Sequence, residues 1–465
     1  MKGEAFSNQK DFEAKVLKAL FDGLAERRVR YAVLRNYEDL PQSVGARDID
    51  ILVHPDDLAG AIKVIAVLSD SLNAYFAKVY CDDMIVQIVF ARRLDVSMLF
   101  QLKIDLLHNR QVYGVELLTA DQMLADARVH KGIPVVADDI QFLDKWLFNW
   151  FVGQPTDPKY NDGFSTICLR DRDRIFERLG PLAGVRQASN DLDQVSYGRA
   201  SEIVPLPRFM RLARLVIVAA RSGPRASIRL SQFAYHRVIN LLSPKGIFLS
   251  ISGPDGSGKT TVIDMVIQQL GEIYGNDAVT YAHFRPTVLP RIAEMAKEVR
   301  AVKTVDENYN QPHRAEPSGV IGSAARLIYY WLDYFAGYFR RIFPILKRRE
   351  IVLFDRYYYD MIADPFRSRI NLPMSVLRLV GRLLPLPRFA FFIRVAPDEI
   401  LRRKQELTME RVITLNARYG DLVQRGWLIP IDNDGAPQEA AAAIVDHIVS
   451  ERDRKARRVL QRMIK

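Results

Sequence analysis

Residues 246–270 read Gly246-Ile-Phe-Leu-Ser-Ile-Ser252, then Gly253-Pro254-Asp255-Gly256-Ser257-Gly258-Lys259-Thr260, then Thr261-Val-Ile-Asp-Met-Val-Ile-Gln-Gln-Leu270. The first segment is a short apolar run suited to a buried parallel strand, and the third repeats its apolar residues at helical spacing. The octet between them matches G-x-x-x-x-G-K-[ST] in full. A strand, a glycine loop and a helix start, in that order, form an anion cradle. The loop's N–H groups and the first helical turn converge on one point. Gly253, Asp255, Gly256, Ser257, Gly258, Lys259, Thr260 and Thr261 are therefore the expected nucleotide-binding residues. Lys259, read as solvent-side, is expected to reach the β- and γ-phosphates of ATP, and the Thr260 hydroxyl to ligand Mg²⁺.

Further segments extend this pattern in both directions. Ile351-Val-Leu-Phe354 is a second buried-strand candidate and runs into Asp355-Arg356-Tyr357-Tyr358-Tyr359-Asp360. A carboxylate at the carboxyl end of a strand is where doubly wound sheets keep Mg²⁺-handling groups, and the adjacent arginine suits a bidentate grip on phosphate. Thr280-Tyr-Ala-His-Phe284 is another strand, closing on Arg285-Pro286. Phe389-Ala-Phe-Phe-Ile-Arg-Val395 leads into a basic helix, Pro397 to Glu406, carrying Arg402, Arg403 and Lys404, with Arg411 beyond. Such a helix is suited to close over phosphates as a lid; a solvated charged face is the other reading.

From Lys245 to about Ser450 the order of these elements resembles the thymidylate kinase family of P-loop nucleoside-monophosphate kinases. Gly253–Thr261 is similar to its phosphate loop, Asp355-Arg356-Tyr357 to its Asp-Arg-aromatic motif, and Phe284-Arg285-Pro286 to its Arg-Glu-Pro segment. The resemblance implies that Arg285 and Arg356, with Tyr357, face the acceptor, that Asp255 lies near its sugar, and that Arg402, Arg403 and Arg411 belong to the lid. No Arg-Glu-Pro-Gly-Gly follows the second strand and no Ala-Tyr-Gln follows Asp355-Arg356-Tyr357. Those segments help form the family's nucleobase pocket, so the expected acceptor is a phosphorylated compound other than thymidylate. The variant with Ala363-Asp364-Pro365 looks like a branch found alongside bacterial surface-glycan functions.

The amino-terminal part carries a second pattern. Arg30-Tyr-Ala-Val-Leu34 and Asp48-Ile-Asp-Ile-Leu-Val53 read as strands. Asp48 and Asp50 then project from one face, and two carboxylates at that spacing can hold divalent metal for a triphosphate. Asp105, alternating with apolar residues in Gln101–His108, is a third metal candidate. Gly45-Ala46-Arg47-Asp48-Ile49-Asp50 with the later Asp105 resembles the polymerase-β-like nucleotidyltransferase superfamily, with Ala46 where that family has serine.

At 465 residues, 49% apolar and 26% charged, the chain has room for several cores. Cys81 and Cys168 stand apart and make no metal pattern, which points to a reducing, cytoplasmic setting. The seven histidines are scattered, which argues against zinc. The first residues lack a secretory signal's apolar core, and no apolar run approaches a membrane span. Phe142–Phe151 reads as a buried helix. From Pro205 to Lys245 the composition turns basic, with Arg208, Arg211, Arg214, Arg221, Arg225, Arg229 and Arg237. This stretch reads as a helical connector without a sustained apolar face; peripheral contact with an anionic membrane is the second reading. The net charge of +11 calls for anionic partners, and the lack of an aromatic-interleaved basic strand argues against nucleic acid.

The expected fold is α/β: an α+β nucleotidyltransferase-like domain over 1–130, a helical connector over 131–244, and a P-loop doubly wound parallel sheet over 245–465. The leading expectation is ATP- and Mg²⁺-dependent phosphoryl transfer to a small anionic acceptor, a nucleotide or phosphorylated sugar, with a second, nucleotidyltransferase-like site. The alternatives are a nucleotidyltransferase whose P-loop domain only senses ATP, and a nucleotide-switched assembly protein.

Overall fold

Runs of β-branched and aromatic residues bounded by Gly, Pro and polar residues set the strands. In chain order they are β1 (Tyr31–Val33), β2 (Asp48–Val53), β3 (Tyr75–Cys81), β4 (Ile85–Asp95), β5 (Met98–Leu107), β6 (Arg110–Val112), β7 (Val115–Leu118), β8 (Arg128–His130), β9 (Ile133–Val135), β10 (Ile247–Ser252), β11 (Val279–His283), β12 (Ile351–Asp355), β13 (Phe389–Arg394) and β14 (Ile429–Asp432). The computed structural model describes residues 2–45, 48–82, 84–96, 98–242, 245–286, 319–404 and 407–464. Ala46, Arg47, and Gln405 and Glu406 of the expected lid lie outside the described residues, as does the side chain of Arg225. The chain divides into two units: Met1–Arg93 with Phe100–Ile239 and Ser450–Lys465, and Leu94–Leu99 with Asn240–Val449.

The first unit is built on a seven-stranded mixed sheet in the order β3-β4-β5-β2-β1-β9-β8. β2 lies antiparallel to β1 and parallel to β5, in a register that sets Asp48 beside Lys103 and Asp50 beside Asp105. Along β2, Ile49, Ile51 and Val53 are buried while Asp48 and Asp50 share the other face, as the two-residue repeat requires. Leu52, on the acid face, is buried too, so that face is open only near the start of the strand. Helix Asp138–Val152 sends Phe142, Trp146, Trp150 and Phe151 into a core shared with helices Asn161–Ala183 and Val185–Ser196. Residues 131–239 thus fall in the first unit.

The second unit is a five-stranded sheet in the order β11-β12-β10-β13-β14, every neighbouring pair parallel. β10 is central and buried along its whole length. A parallel strand covered on both faces has no solvent side, which is why 247–252 is apolar without alternation. The chain leaves β10 toward β11 and later returns to its other side as β13. That reversal opens a crevice at the carboxyl ends of the strands. β12 runs one residue beyond its apolar stretch, so Asp355 is its last residue and points to that crevice's edge.

Candidate functional site

The glycine loop leaves β10 at Ser252 and ends where helix Lys259–Tyr274 begins. Its turn needs Gly256 and Gly258 in the left-handed region, at φ 87° and 77°. A methyl on Gly256 would also come within 3.2 Å of the Ile400 carbonyl oxygen and Lys404 Cβ, so helix Pro397–Arg403 is seated directly on the loop. Asn433, one residue past β14, backs the loop from the other side by donating from Nδ2 to the Ser257 carbonyl at 2.8 Å. Because the helix starts at Lys259, the amides of its first turn have no helical acceptor and are left for an anion.

Lys259 is not solvent-side: it is 7% exposed, and its Nζ donates to the Pro254 carbonyl at 2.7 Å. The loop wraps around its own lysine, and with that desolvation, aided by the nearby Arg356 charge, its pKa is pushed down to about 7 against the pull of Asp255, Asp355 and Asp360. An ammonium so poorly compensated is set to gain most from an added anion.

Arg356 is the hub of the site. Its backbone sits in the left-handed region at φ 71°, a strained conformation for a side-chain-bearing residue, held by its N–H on the Ile251 carbonyl at 2.9 Å. Its guanidinium donates to the Gly253 carbonyl at 2.9 Å and to Asp360 Oδ1 at 3.1 Å, and pairs with Asp255. Asp360 is fully satisfied: Oδ1 also accepts from the Tyr419 hydroxyl at 2.7 Å, and Oδ2 accepts from Ser252 Oγ at 2.6 Å and the Tyr357 N–H at 3.0 Å. A buried carboxylate with four donors is an anchor. Asp255 takes a second arginine, Arg367, at 2.9 Å. Burial pushes its pKa up, but Arg356 and Arg367 outweigh that and hold it well below the usual carboxylate range.

Asp355 accepts from the Tyr281 hydroxyl at 3.3 Å through Oδ2, while its Oδ1 is buried with no hydrogen-bond partner. An orphaned carboxylate oxygen fits a cation ligand. Thr260 is exposed on the first helical turn. The other expected residues divide. Arg403 reaches the loop's backing, donating to the Asn433 carbonyl at 3.0 Å, and Arg411 pairs with Asp364 at 3.7 Å. Arg402 pairs with Glu399 at 2.7 Å on the exposed side of its helix, as a solvated face would. Arg285 turns toward helix Val320–Gly337, 3.4 Å from Asp333 and stacked on Tyr329 and Tyr330. Tyr357 does not line the crevice: it is fully buried against Phe248, Phe354 and Tyr334, its hydroxyl on the Pro385 carbonyl. The aromatic after Asp-Arg supports the arginine from behind. Lys404, of the expected lid helix, also belongs to the site, as do Arg367 and Asn433, which no sequence pattern signals.

In the first unit, oxygens of Asp48, Asp50 and Asp105 lie within 4.8 Å of one another, an arrangement able to hold a metal ion. Two cations attend them. Lys103 Nζ stands 2.8 Å from Asp48 and 3.1 Å from Asp105, and Arg35 donates to Asp50 at 2.6 Å. Burial pushes Asp105 up against the pull of Lys103, and its Oδ1 has no hydrogen-bond partner. Lys103 was legible in principle, two residues before Asp105 on the same strand face.

No family model matches the chain. It is 22% identical over 216 residues to a probable thymidylate kinase of Staphylothermus marinus, covering 44% of this chain and 97% of that one. It is 29% identical over 191 residues to the thymidylate kinase of Prochlorococcus marinus, covering 39% and 82%. It is 27% identical over 183 residues to that of Enterococcus faecalis, covering 39% and 79%. A solved thymidylate kinase from Ehrlichia chaffeensis aligns at 19% identity and a TM-score of 0.29, over 44% of this chain and 100% of that one. The chain is thus similar to thymidylate kinases over about 40% of its length.

Proposed function

We propose that the second unit is an ATP- and Mg²⁺-dependent phosphotransferase acting on a small phosphorylated acceptor. The observation that carries this reading is the glycine loop at the end of the central parallel strand, with buried Lys259 in electrostatic reach of Asp355 and Arg356. The similarity to thymidylate kinases supports the same class. In this mechanism the loop amides and Lys259 hold the donor phosphates. Asp355 and the Thr260 hydroxyl would hold Mg²⁺, which neutralises phosphate charge when bound. Arg356, fixed by Asp360 and Asp255, presents its planar donors to the acceptor phosphate, and Arg403 and Arg411 add positive charge around the transferred group.

Product analysis with ATP, Mg²⁺ and a panel of nucleoside monophosphates and sugar phosphates tests this. ADP with one phosphorylated acceptor is expected, with thymidylate a poor acceptor because the nucleobase-pocket segments are missing. In Arg356→Lys, acceptor KM should rise or kcat fall at least tenfold with ATP affinity unchanged, since lysine cannot span Gly253, Asp255, Asp360 and a ligand. Thymidylate turnover at ordinary kinase rates would refute the substrate assignment, and an Arg356→Lys enzyme like wild type would refute the role of the arginine.

A second reading concerns the first unit. The parallel register of β2 and β5, which gathers three carboxylates, favours a nucleotidyltransferase-like site holding divalent metal. Mn²⁺ binding by titration calorimetry, lost in Asp50→Asn, together with pyrophosphate release from ATP, tests it; neither signal would leave a structural acid cluster neutralised by Lys103 and Arg35. Assignment to surface-glycan metabolism rests on the sequence resemblance alone.

A further inference from the structure

From Ile203 to Pro254 the chain contains no Asp or Glu, while Arg208, Arg211, Arg214, Arg221, Arg225, Arg229 and Arg237 fall within two successive helices, Arg208–Arg221 and Pro224–Leu242. The sequence offers these as a connector first and as a membrane-surface contact second. In the structure they carry a solvent-facing apolar stripe in addition to the side by which they are pinned.

The first helix turns Leu215 and Val218 into the core of the first unit and is pinned by Arg211, whose guanidinium donates to the Leu206 and Phe151 carbonyls at 2.8 and 2.9 Å. Its opposite face carries Phe209, Leu212 and Val216, spaced three and four residues apart and 68%, 41% and 68% exposed. The second helix is pinned by an Arg229–Glu116 ion pair and the Phe233–Tyr113 ring contact, and its outer face carries Ile228, Tyr235 and Val238 at 59%, 63% and 54% exposure. Each helix thus shows a second apolar stripe to solvent, away from the side that pins it, where a surface helix in water carries polar residues. Arg208, Arg221 and Arg237 are exposed on the same two helices. Among the described residues none of the three meets a carboxylate: Arg221 donates to the Pro181 carbonyl and Arg237 lies over the Phe233 ring.

We infer that this helix pair is a docking surface for an anionic lipid bilayer, its aliphatic and aromatic side chains entering the acyl boundary and its exposed arginines meeting headgroup phosphates. Amphipathic helices with apolar residues flanked by arginine bind in that plane. No described helix is long and apolar enough to cross a membrane, so the contact is interfacial. A second copy is a poorer occupant, because a two-fold contact would set one acid-free, arginine-bearing face against itself. Nucleic acid would satisfy the arginines and leave the aliphatic stripe in water.

The test is co-sedimentation of the full chain with vesicles of phosphatidylcholine alone and of phosphatidylcholine with phosphatidylglycerol. Binding is expected only to the latter and should weaken with salt as the Debye length shortens. Arg208→Gln with Arg221→Gln and Arg237→Gln should lower it about a hundredfold, from roughly 1 kcal/mol per arginine, and the corresponding triple lysine variant should keep most of it. Phe209→Ser with Val216→Ser and Tyr235→Ser should abolish it with net charge unchanged. All six positions are exposed, so melting should stay near wild type, and circular dichroism checks this. The inference is overturned if wild type ignores anionic vesicles, or if both serine and glutamine variants bind like wild type. It is equally overturned if the serine variant only dissolves a dimer, or if the chain binds duplex DNA in place of vesicles.

Discussion

Two residues at the phosphate loop carry opposite electrostatic histories. Lys259 is desolvated down to a pKa of about 7, so in the free protein it is a costly ammonium. Lys259→Ala should therefore leave the melting temperature within about 2 °C of wild type while abolishing ATP turnover; a folded variant that still turns over ATP would sink the kinase reading. Asp255 is the converse, a carboxylate whose folded pKa is depressed below the unfolded one. Its contribution to stability is complete above roughly pH 4, the unfolded value, and is lost as pH falls through that value toward the folded pKa. Asp255→Asn should cost about 3 kcal/mol at neutral pH by leaving two arginines short of a partner. Its melting temperature should then fall less steeply than that of wild type on acidification below about pH 5. Parallel curves for the two proteins would show that Asp255 is not held charged by Arg356 and Arg367.

Among the elements, helix Pro397–Arg403 is tied to nucleotide binding through one small residue. Gly256 has a positive φ, and a methyl there would press on Ile400 and Lys404 at 3.2 Å, so the helix would have to give by a few tenths of an ångström. Gly256→Ala should shift the loop or the helix and lower ATP affinity at least tenfold, consistent with about 1–2 kcal/mol of backbone strain plus the clash. Gly275 is the control, with φ 109° and nothing within 4 Å of an added Cβ, at the far end of helix Lys259–Tyr274. Gly275→Ala should cost stability alone. Equal loss of ATP affinity in both variants, measured by calorimetry, would mean that strain rather than the packed helix governs the site. The same helix shows why a basic run has to be resolved residue by residue: Arg402 and Arg403 both pair with Glu399, and only Arg403 also reaches the loop's support at Asn433.

On the scale of the whole molecule the candidate sites belong to separate units with separate sheets. Asp48→Asn with Asp50→Asn should leave ATP-to-ADP turnover within about twofold of wild type, a change of only ~0.4 kcal/mol in the barrier. A small loss of stability is expected, because Lys103 and Arg35 lose partners. A folded double variant without any kinase turnover would show that the two units do not work independently.

The sequence by itself determined the elements whose logic is local. A glycine loop between an apolar strand and an amphipathic helix, acids two apart on a strand, and an aromatic helix at 142–151 are legible because backbone conformation and side-chain alternation act over a few residues. Tertiary structure decided which charges meet. Asp255 is joined to Arg356 and Arg367 from more than a hundred residues away, and Asp360 is satisfied by Ser252 and Tyr419 from other elements. It also decided that Lys259 is buried, that Tyr357 stands behind the site, and that the arginine-rich helices show a second apolar stripe to solvent. Burial and ion pairing depend on what distant segments bring to the same place, and local composition carries no record of that arrangement.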